Sequence, residues 1–343
     1  MSAPRHVPAL IAGAGPIGLS CAISARRRGI GHLVIDAGAI AQSIVRYPVG
    51  MVFFTTPERL EIGGHPFTCA GAKATREEAL KYYRGVVRAE GLAVQTFTRL
   101  LAAERHQGRL HCEISEPAGV CEVTCDRLII ATGYFEHANL LDVPGEALPH
   151  VHHWFDEAHL SCGLDVVVVG GKNSAVEAAL QCFRAGARVT LVYRGTTLKS
   201  SVKFWLRPDL ENRIAAGEIA ARFGCDVAEI TADEVILRRA DGAVERVPAA
   251  RVYALTGYHP DFNLLAAVGI ECDAVTGRPA LDAETLQSNV PGVHLAGSVG
   301  AGRNISEVFI ENGRFDGEKI FGDAASRQLA ERRYAESPRP VGE

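Results

Sequence analysis

Two stretches of this chain repeat one pattern, in which an apolar strand leads into a glycine-rich turn, a helix and a second strand. The first covers residues 6–38, HVPALIAGAGPIGLSCAISARRRGIGHLVIDAG, and the second covers residues 165–195, DVVVVGGKNSAVEAALQCFRAGARVTLVYRG. Such an order forms a βαβ unit, because parallel strands need a crossover of about a dozen residues. The two turns are separated by about 157 residues, from Gly13 to Gly170. The repeat therefore predicts two nucleotide-binding domains of one fold type.

The first turn carries a complete dinucleotide-binding pattern, Gly13-x-Gly15-x-x-Gly18. The first glycine permits the tight turn, the second lets a pyrophosphate approach the backbone, and the third lets the helix pack closely on the strand. The amino end of the helix offers N–H groups and a positive dipole end to the phosphates. Asp36 ends the second strand, where its carboxylate can accept hydrogen bonds from ribose hydroxyls. The residues predicted to hold this cofactor are Gly13, Gly15, Pro16, Ile17, Gly18, Asp36 and Ala37.

The second turn departs from that pattern, because Lys172 stands where the first turn has its middle glycine. Its second strand ends at Arg194 rather than at an acid. An acid would repel a 2′-phosphate, whereas arginine can pair with it through two hydrogen bonds, so this site is predicted to prefer NADPH to NADH. Lys199 and Lys203, which follow in the sequence, could contact the phosphate or could be solvated loop lysines, and the sequence does not favour one interpretation over the other. The predicted NADPH contacts are Gly170, Gly171, Lys172, Asn173, Ser174, Ala175, Arg194 and Lys199.

Two unlike nucleotide sites in one chain are typical of a flavoprotein. FAD is predicted at the acidic site and NADPH at the basic one, with hydride passing from the nicotinamide to the flavin and then to an acceptor. The predicted fold class is α/β, with two Rossmann-like, three-layer ββα dinucleotide-binding domains. The NADPH domain, residues 156–262, is predicted to be inserted in a discontinuous FAD domain, residues 1–155 and 263–343.

The composition excludes several other classes of function. A formal net charge of −4 over 343 residues gives no indication of a nucleic-acid partner. The first residues lack a signal peptide and no run approaches the roughly 18 apolar residues of a membrane span, so we expect a cytoplasmic protein without a membrane partner. The nine cysteines are scattered and include no C-x-x-C, which argues against a disulfide framework. No metal site is predicted, because the spacing of His150, His152, His153 and His159 is irregular.

Further stretches resemble the two-dinucleotide-binding-domain flavoproteins of the thioredoxin reductase type. ATGY at 131–134 and LTGY at 255–258 look like the strand-end turns that connect their two domains. GVHLAGSVGAG at 292–302 looks like their late flavin-contacting strand, with Ser298 where those proteins usually carry aspartate. The resemblance implies FAD contacts at Thr132, Gly133, Gly297 and Ser298, and NADPH contacts at Thr256 and Gly257.

Within that group, the chain is similar over nearly its whole length to the YpdA family of bacillithiol disulfide reductases. The similar stretches include YPVGMVFFTTPERLEIGGHPF, VVVVGGKNSAVEAAL, LTGYHPDFNLLAAVGI and FIENGRFDG. The resemblance implies bound FAD, with Tyr47 among its contacts, NADPH as the electron donor, and a homodimer or homotetramer.

The resemblance also shows what this chain lacks. The YpdA family typically carries a cysteine in the first turn, as GGGPCG, and that cysteine is proposed to attack the disulfide. This chain has Ile17 at that position, and isoleucine cannot act as a nucleophile. Cys21, one helical turn further on, is a weak replacement because a buried structural role fits it better. No catalytic residue is therefore assigned.

The tail is predicted to form a helix that begins near Asn304 and is interrupted further on. The amino end of that helix would face the pyrimidine edge of the flavin and stabilise its anionic reduced form. Asn304 is accordingly counted among the FAD contacts.

The leading hypothesis is an NADPH-dependent reductase of a small-molecule disulfide or thiol-linked substrate. Without a cysteine at position 17, electrons would reach the substrate from the flavin directly or through a thiol elsewhere. A flavin-dependent monooxygenase acting on sulfur or nitrogen is the first alternative. Electron transfer to a redox carrier protein such as ferredoxin or flavodoxin is the second, and a flavin-bound redox sensor is the third. The sequence does not name the acceptor or the oligomer number.

Overall fold

The computed structural model describes residues 4–305 and 307–336, apart from the side chain of Tyr334. The described residues contain short and long strands in the following order: β1 Arg5–Ala12, β2 His32–Ile35, β3 Val94–Gln95, β4 Arg99–His106, β5 Arg109–Glu116, β6 Gly119–Ile130, β7 His137–Ala138, β8 Val151–His152, β9 Asp165–Val169, β10 Arg188–Tyr193, β11 Ala220–Phe223, β12 Cys225–Ile230, β13 Glu234–Arg239, β14 Val244–Pro248, β15 Arg251–Ala254, β16 Tyr258–His259 and β17 Val293–Leu295.

The α-helices among the described residues are α1 Pro16–Arg27, α2 Gln42–Val45, α3 Pro57–Leu60, α4 Arg76–Glu90, α5 Asn173–Arg184, α6 Arg207–Ala215, α7 Phe262–Ala267, α8 Ile310–Gly313, α9 Asp316–Phe321 and α10 Ala324–Glu336. Two 3₁₀ segments cover Ala158–Ser161 and Gly297–Ala301. No helix among the described residues is both long enough and apolar enough to cross a bilayer.

The chain divides into two compact units. Unit 1 contains residues 4–45, 50–137 and the described residues from 258 onward, and unit 2 contains residues 46–49 and 138–257. Unit 2 therefore interrupts unit 1 in the sequence. The units change over between residues 137 and 138 and between 257 and 258, whereas the sequence placed the changes at 155/156 and 262/263.

Unit 1 is built on a seven-stranded sheet in the order β3-β2-β1-β6-β5-β4, with β17 also paired to β6. Strands β3, β2, β1, β6 and β17 are parallel, and β5 and β4 are antiparallel additions. The predicted first βαβ unit is thus present as β1-α1-β2. Helix α1 packs closely on α9, because Gly317 of α9 has no side chain at the contact. A Cβ at Gly317 would lie 2.8 Å from the Cα of Cys21 on α1.

Unit 2 repeats the plan on a smaller scale. Its parallel sheet has the order β11-β10-β9-β15-β8, and an antiparallel sheet is formed by β12, β13 and β14. Four consecutive valines of β9, Val166–Val169, are buried, because a parallel strand is covered on both faces. The second βαβ unit is therefore β9-α5-β10, and the predicted α/β fold with two Rossmann-type sheets is confirmed.

The prediction of a helix opening near Asn304 is wrong. Residues 302–305 and 307–309 lack helical structure, and the first helix of the tail, α8, begins at Ile310. The reason lies in Asn312, whose side-chain oxygen accepts a hydrogen bond from the Phe309 N–H at 2.8 Å, while its amide donates to the Glu307 carbonyl at 2.9 Å. These bonds satisfy the backbone just before α8 and fix the start of the helix there.

Candidate cofactor and reaction site

The first glycine turn assigns a separate physical task to each of its glycines. A Cβ at Gly13 would lie 2.3 Å from the Ala131 carbonyl oxygen, and Gly13 has a φ of +115°. A Cβ at Gly18 would lie 1.9 Å from the Gly13 oxygen, whereas a Cβ at Gly15 would meet no atom within 4 Å. Gly13 and Gly18 are thus needed for the turn and the packing of α1, and Gly15 leaves open backbone for a ligand.

Asp36 is held against that turn by the backbone. Its carboxylate accepts hydrogen bonds from the Ala14 N–H at 2.7 Å and the Gly38 N–H at 2.8 Å. Burial raises the pKa of the Asp36 carboxyl, and these two bonds oppose the rise. The carboxylate therefore has a fixed position just after β2, and its role as an acceptor of ribose hydroxyls stays a prediction.

A cavity in unit 1 collects several predicted FAD contacts: Gly13, Asp36, Ala37, Thr132 and Gly133 line it together. The side-chain oxygen of Thr132 is buried and has no hydrogen-bond partner among the described residues. A buried hydroxyl of this kind needs a partner, and a bound dinucleotide would supply one. Open backbone at Gly15 and the partnerless hydroxyl of Thr132 both fit FAD at this turn.

The same cavity is lined by residues that sequence reasoning missed: Gln42, Ser43, Thr98, Arg99 and Glu136. Arg99 and Glu136 form an ion pair at 3.1 Å. They come from β4 and from the loop after β6, far apart in the sequence, and neither follows a recognisable pattern. Only the pairing of strands brings them to the mouth of the first turn.

Ile17 fills a gap between two glycines of unit 1. A Cβ at Gly297 would lie 2.6 Å from its Cδ1, and a Cβ at Gly313 would lie 2.7 Å from the same atom. Ile17 is therefore a packed aliphatic side chain at the position where the resemblance to the YpdA family implied a cysteine. The Gly297 N–H donates to the carboxylate of Asp316 at 2.7 Å, so this junction also contains a buried acid that the sequence analysis did not single out.

Cys21 is fully buried on α1, and burial raises the pKa of its thiol well above the usual value. The backbone of α9 closes over it at Gly317. A neutral, enclosed thiol has little nucleophilic character, so the structure gives Cys21 a packing role. The nine cysteines are all free, and the described residues contain no cluster of three His, Cys, Asp or Glu suited to a metal.

The remaining predicted FAD contacts are scattered. Ser298 is half-buried, with its hydroxyl 3.7 Å from where a Cβ on Gly133 would lie. Asn304 donates from its side-chain amide to Glu307. Tyr47 lies in the segment Arg46–Val49, which groups with unit 2. FAD contacts at these three residues stay predictions.

The second turn, in unit 2, is also a tight strand-to-helix connection. Gly170 has a φ of +148°, and a Cβ there would lie 2.6 Å from the Leu255 carbonyl oxygen. Asn173 holds the following loop: its side-chain oxygen accepts from the Lys203 N–H at 2.8 Å, and its amide donates to the Ser201 carbonyl. The Lys172 side chain is exposed, so it does not fill the turn.

The other predicted NADPH contacts of unit 2 lie at the carboxyl ends of β10 and β15. Thr256 donates through its hydroxyl to the Asn139 carbonyl, and Gly257 accepts from the Asn139 N–H at 2.9 Å. Arg194 and Lys199 are exposed. Lys203 is buried, with its ammonium 5.9 Å from the centre of the Trp205 ring.

Comparison with known proteins agrees with this architecture. Residues 10–297 match the family described as pyridine nucleotide-disulphide oxidoreductase. Bacilliredoxin reductase Bdr of Bacillus subtilis is 43% identical over 321 residues, which are 93% of this chain and 98% of that protein. The bacillithiol disulfide reductase Bdr (YpdA) of Bacillus cereus superposes with a TM-score of 0.90 at 38% identity, covering 96% of this chain and all of that one. The Staphylococcus aureus protein of the same name gives 0.87 at 36% identity, covering 96% and 99%.

Proposed function

The chain belongs to the pyridine nucleotide-disulphide oxidoreductase family, and from that premise we propose that it reduces the disulfide of a low-molecular-weight thiol of the bacillithiol type. It is an NADPH-dependent flavoprotein oxidoreductase that uses FAD and NADPH. In the proposed net reaction, NADPH, a proton and one disulfide give NADP⁺ and two thiols. The disulfide bond is broken and reduced by the two electrons that leave the nicotinamide as hydride.

The observation that carries the proposal is the pair of unlike strand ends after the two turns. Unit 1 presents the fixed carboxylate of Asp36, open backbone at Gly15 and the free hydroxyl of Thr132, which together would hold FAD. Unit 2 presents no acid at the end of β10 and exposes Arg194 and Lys199, which suit the 2′-phosphate of NADPH. FAD, when bound, supplies two-electron redox chemistry between nicotinamide and disulfide.

Ile17 excludes a thiol relay at the first turn. Its side chain packs against Gly297 and Gly313 and offers no atom that could form a mixed disulfide. With Cys21 enclosed, electrons would reach the substrate directly or through a thiol outside the first turn. The absence of a reactive cysteine at the first turn distinguishes the proposed electron transfer in this chain from the thiol-relay mechanism proposed for the YpdA family.

Replacement of Ile17 by cysteine tests that distinction. Ile17→Cys is expected to fold at a cost of about 1–3 kcal/mol, because the smaller cysteine side chain leaves part of the gap empty. After reaction with the disulfide, peptide mass spectrometry should find a mixed disulfide on residue 17 of the variant. Ile17→Ser, of similar size but without a thiol, should show none. A mixed disulfide on Cys21 of the wild type would contradict the packing role given to it.

The substrate class is tested by anaerobic oxidation of NADPH at 340 nm with a panel of acceptors. Bacillithiol disulfide should be reduced faster than glutathione disulfide and cystine, with one NADPH consumed per two thiols released. Ferredoxin, flavodoxin and one-electron dyes serve as the acceptors expected for an electron-transfer protein. NADPH consumption that requires oxygen and transfers an oxygen atom to sulfur or nitrogen would instead identify a monooxygenase, and the reductase proposal would fall.

We propose that the protein works as a homodimer or homotetramer in the cytoplasm, with the small-molecule disulfide as its main partner and a redox carrier protein as a second acceptor. The names of the Bdr proteins, bacilliredoxin reductase and bacillithiol disulfide reductase, support the two classes of acceptor. Light scattering of the purified holoenzyme measures the oligomer number directly, and a monomer would contradict this part.

A further inference from the structure

The two βαβ units can be aligned by equivalent backbone hydrogen bonds rather than by sequence similarity. The Gly13 N–H donates to the Ile35 carbonyl at 2.7 Å, and the Gly170 N–H donates to the Val192 carbonyl at 2.9 Å. Ile35 and Val192 therefore occupy the same place in the two units. The next residue is Asp36 in unit 1 and Tyr193 in unit 2, so a tyrosine stands where the first unit has its acid, and Arg194 lies one residue beyond.

The ring of Tyr193 lies in a slot between two glycines. A Cβ at Gly171 would lie 2.5 Å from its Cδ2 and Cε2, and a Cβ at Gly195 would lie 2.5 Å from its Cε1. Neither glycine has a positive φ, so the turn itself does not require glycine at either position. Glycine at these two positions leaves room for the Tyr193 ring, whose atoms come close to the backbone of the second turn.

The hydroxyl group of Tyr193 is available to a ligand. It makes no hydrogen bond within the part of the chain that the structure describes, and the side chain is half-exposed. In unit 1 the equivalent carboxylate accepts two backbone N–H bonds and carries a negative charge. A phenol at this place brings no such charge, and it brings a hydrogen-bond donor that a carboxylate lacks.

We propose that Tyr193 sets the preference of the unit 2 site for a 2′-phosphorylated adenine nucleotide. The ring removes the acid that would bind a free ribose diol and repel a 2′-phosphate, and the hydroxyl donates one hydrogen bond to that phosphate. Arg194 and Lys199, both exposed nearby in the sequence, add positive charge without fixing the position. The proposal rests on NADPH binding in unit 2 and not on the identity of the disulfide.

The test is calorimetric titration of the FAD-loaded enzyme with adenosine 2′,5′-bisphosphate and with AMP, which differ only in the 2′-phosphate. The wild type should prefer the bisphosphate. Tyr193→Phe should weaken bisphosphate binding about tenfold and leave AMP unchanged, because one hydrogen bond to a charged group is lost. Tyr193→Asp should reduce the preference by about 100-fold or more, because a repelling charge is added to that loss.

A second variant acts on the ring without altering it. Gly195→Ala places a methyl group against the ring and should displace it, lowering the preference for the bisphosphate. Gly85→Ala is the matched control, because Gly85 lies in α4, has no atom within 4 Å of its added Cβ, and belongs to unit 1. The proposal is overturned if the Tyr193 and Gly195 variants keep the wild-type preference while Arg194→Ala alone loses it. Failure of the disulfide assay would leave these titrations unaffected.

Discussion

A methyl group at position 18 is expected to destabilise the protein by about 3 kcal/mol or more. In Gly18→Ala the new Cβ would fall 1.9 Å from the Gly13 carbonyl oxygen and 3.0 Å from its carbon, and both are backbone atoms. Neither can turn aside as a flexible side chain would, so α1 must shift away from the sheet that it covers. Forced overpacking of a close-packed interior costs 1–3 kcal/mol and more where the backbone must move.

Gly15→Ala is the matched control for this variant. Gly15 has an ordinary extended conformation, with φ −73° and ψ 174°, and its added Cβ would meet nothing within 4 Å. The FAD-free form of Gly15→Ala should therefore unfold at the wild-type temperature, whereas Gly18→Ala should unfold about 6–12 °C lower. Loaded with FAD, Gly15→Ala should retain less cofactor, because its methyl group lies where the pyrophosphate would approach.

Calorimetric unfolding of the FAD-free proteins and the absorbance ratio of flavin to protein measure the two effects separately. If Gly18→Ala unfolds at the same temperature as the wild type, the proposal that position 18 needs glycine for its close contact with Gly13 is wrong. If Gly15→Ala keeps its full flavin content, the open backbone at that position is not the phosphate site.

The pattern of glycines could be assigned from the sequence because the three glycines stand at a fixed spacing between a strand and a helix, although Gly13 also packs against the distant Ala131. The strand-helix-strand order, the fixed acid at Asp36 and the long helix α4 follow from local spacing in the same way. Helix α4, Arg76–Glu90, shows local signals at both ends: a capping box between Thr75 and Glu78, and Gly91 as the C-cap with a φ of +58°. Turn glycines, helix caps and hydrophobic spacing determine these elements, and all three can be recognised in the sequence.

Features that depend on register or on distant contacts could not be predicted. The sequence pattern placed the equivalent of Asp36 at Arg194. The hydrogen bond from the Gly170 N–H to the Val192 carbonyl shows that Tyr193 is the equivalent residue, and this bond cannot be read from the sequence. The tail helix was predicted to begin too early. Its observed start depends on hydrogen bonds from the Asn312 side chain to Phe309 and Glu307, and helical periodicity in the sequence does not reveal such bonds. Asp316 was missed because no recognisable spacing in the sequence links it to its partner, the N–H of Gly297.

Asp316 should make the stability of the folded protein depend on pH in an unusual direction. Burial raises the pKa of its carboxyl from an ordinary 3.8 to about 7, against the hydrogen bond from Gly297 and the positive charge of Lys319, while Glu331 adds to the rise. Glu331 and Lys319 are themselves paired at 2.6 Å, and the enclosed thiol of Cys21 is the titratable neighbour on α1. The folded protein thus keeps a proton that the unfolded chain releases at lower pH.

The sign follows from proton binding. Between about pH 4 and pH 7 the native state binds more protons at this site than the unfolded state, so the free energy of unfolding falls as the pH rises. The contribution is fully present below pH 3.8 and is lost as the pH passes about 7. From pH 5 to pH 8 the loss amounts to about 3 kcal/mol, or about 6–12 °C in melting temperature.

Asp316→Asn removes this ionisation and keeps an oxygen that can accept from the Gly297 N–H. Melting temperatures of the wild-type and variant holoenzymes should therefore converge or cross between pH 5 and pH 8, with the variant relatively more stable at pH 8. Asp323→Asn is the control, because the N–H and hydroxyl of Ser326 lower the pKa of that exposed carboxyl below 3.8, so it stays ionised from pH 5 to pH 8 and its variant should keep the pH profile of the wild type. Parallel pH profiles for the wild type and Asp316→Asn would mean that the buried carboxyl is ionised across the whole range, with a compensating charge that Lys319 alone does not supply.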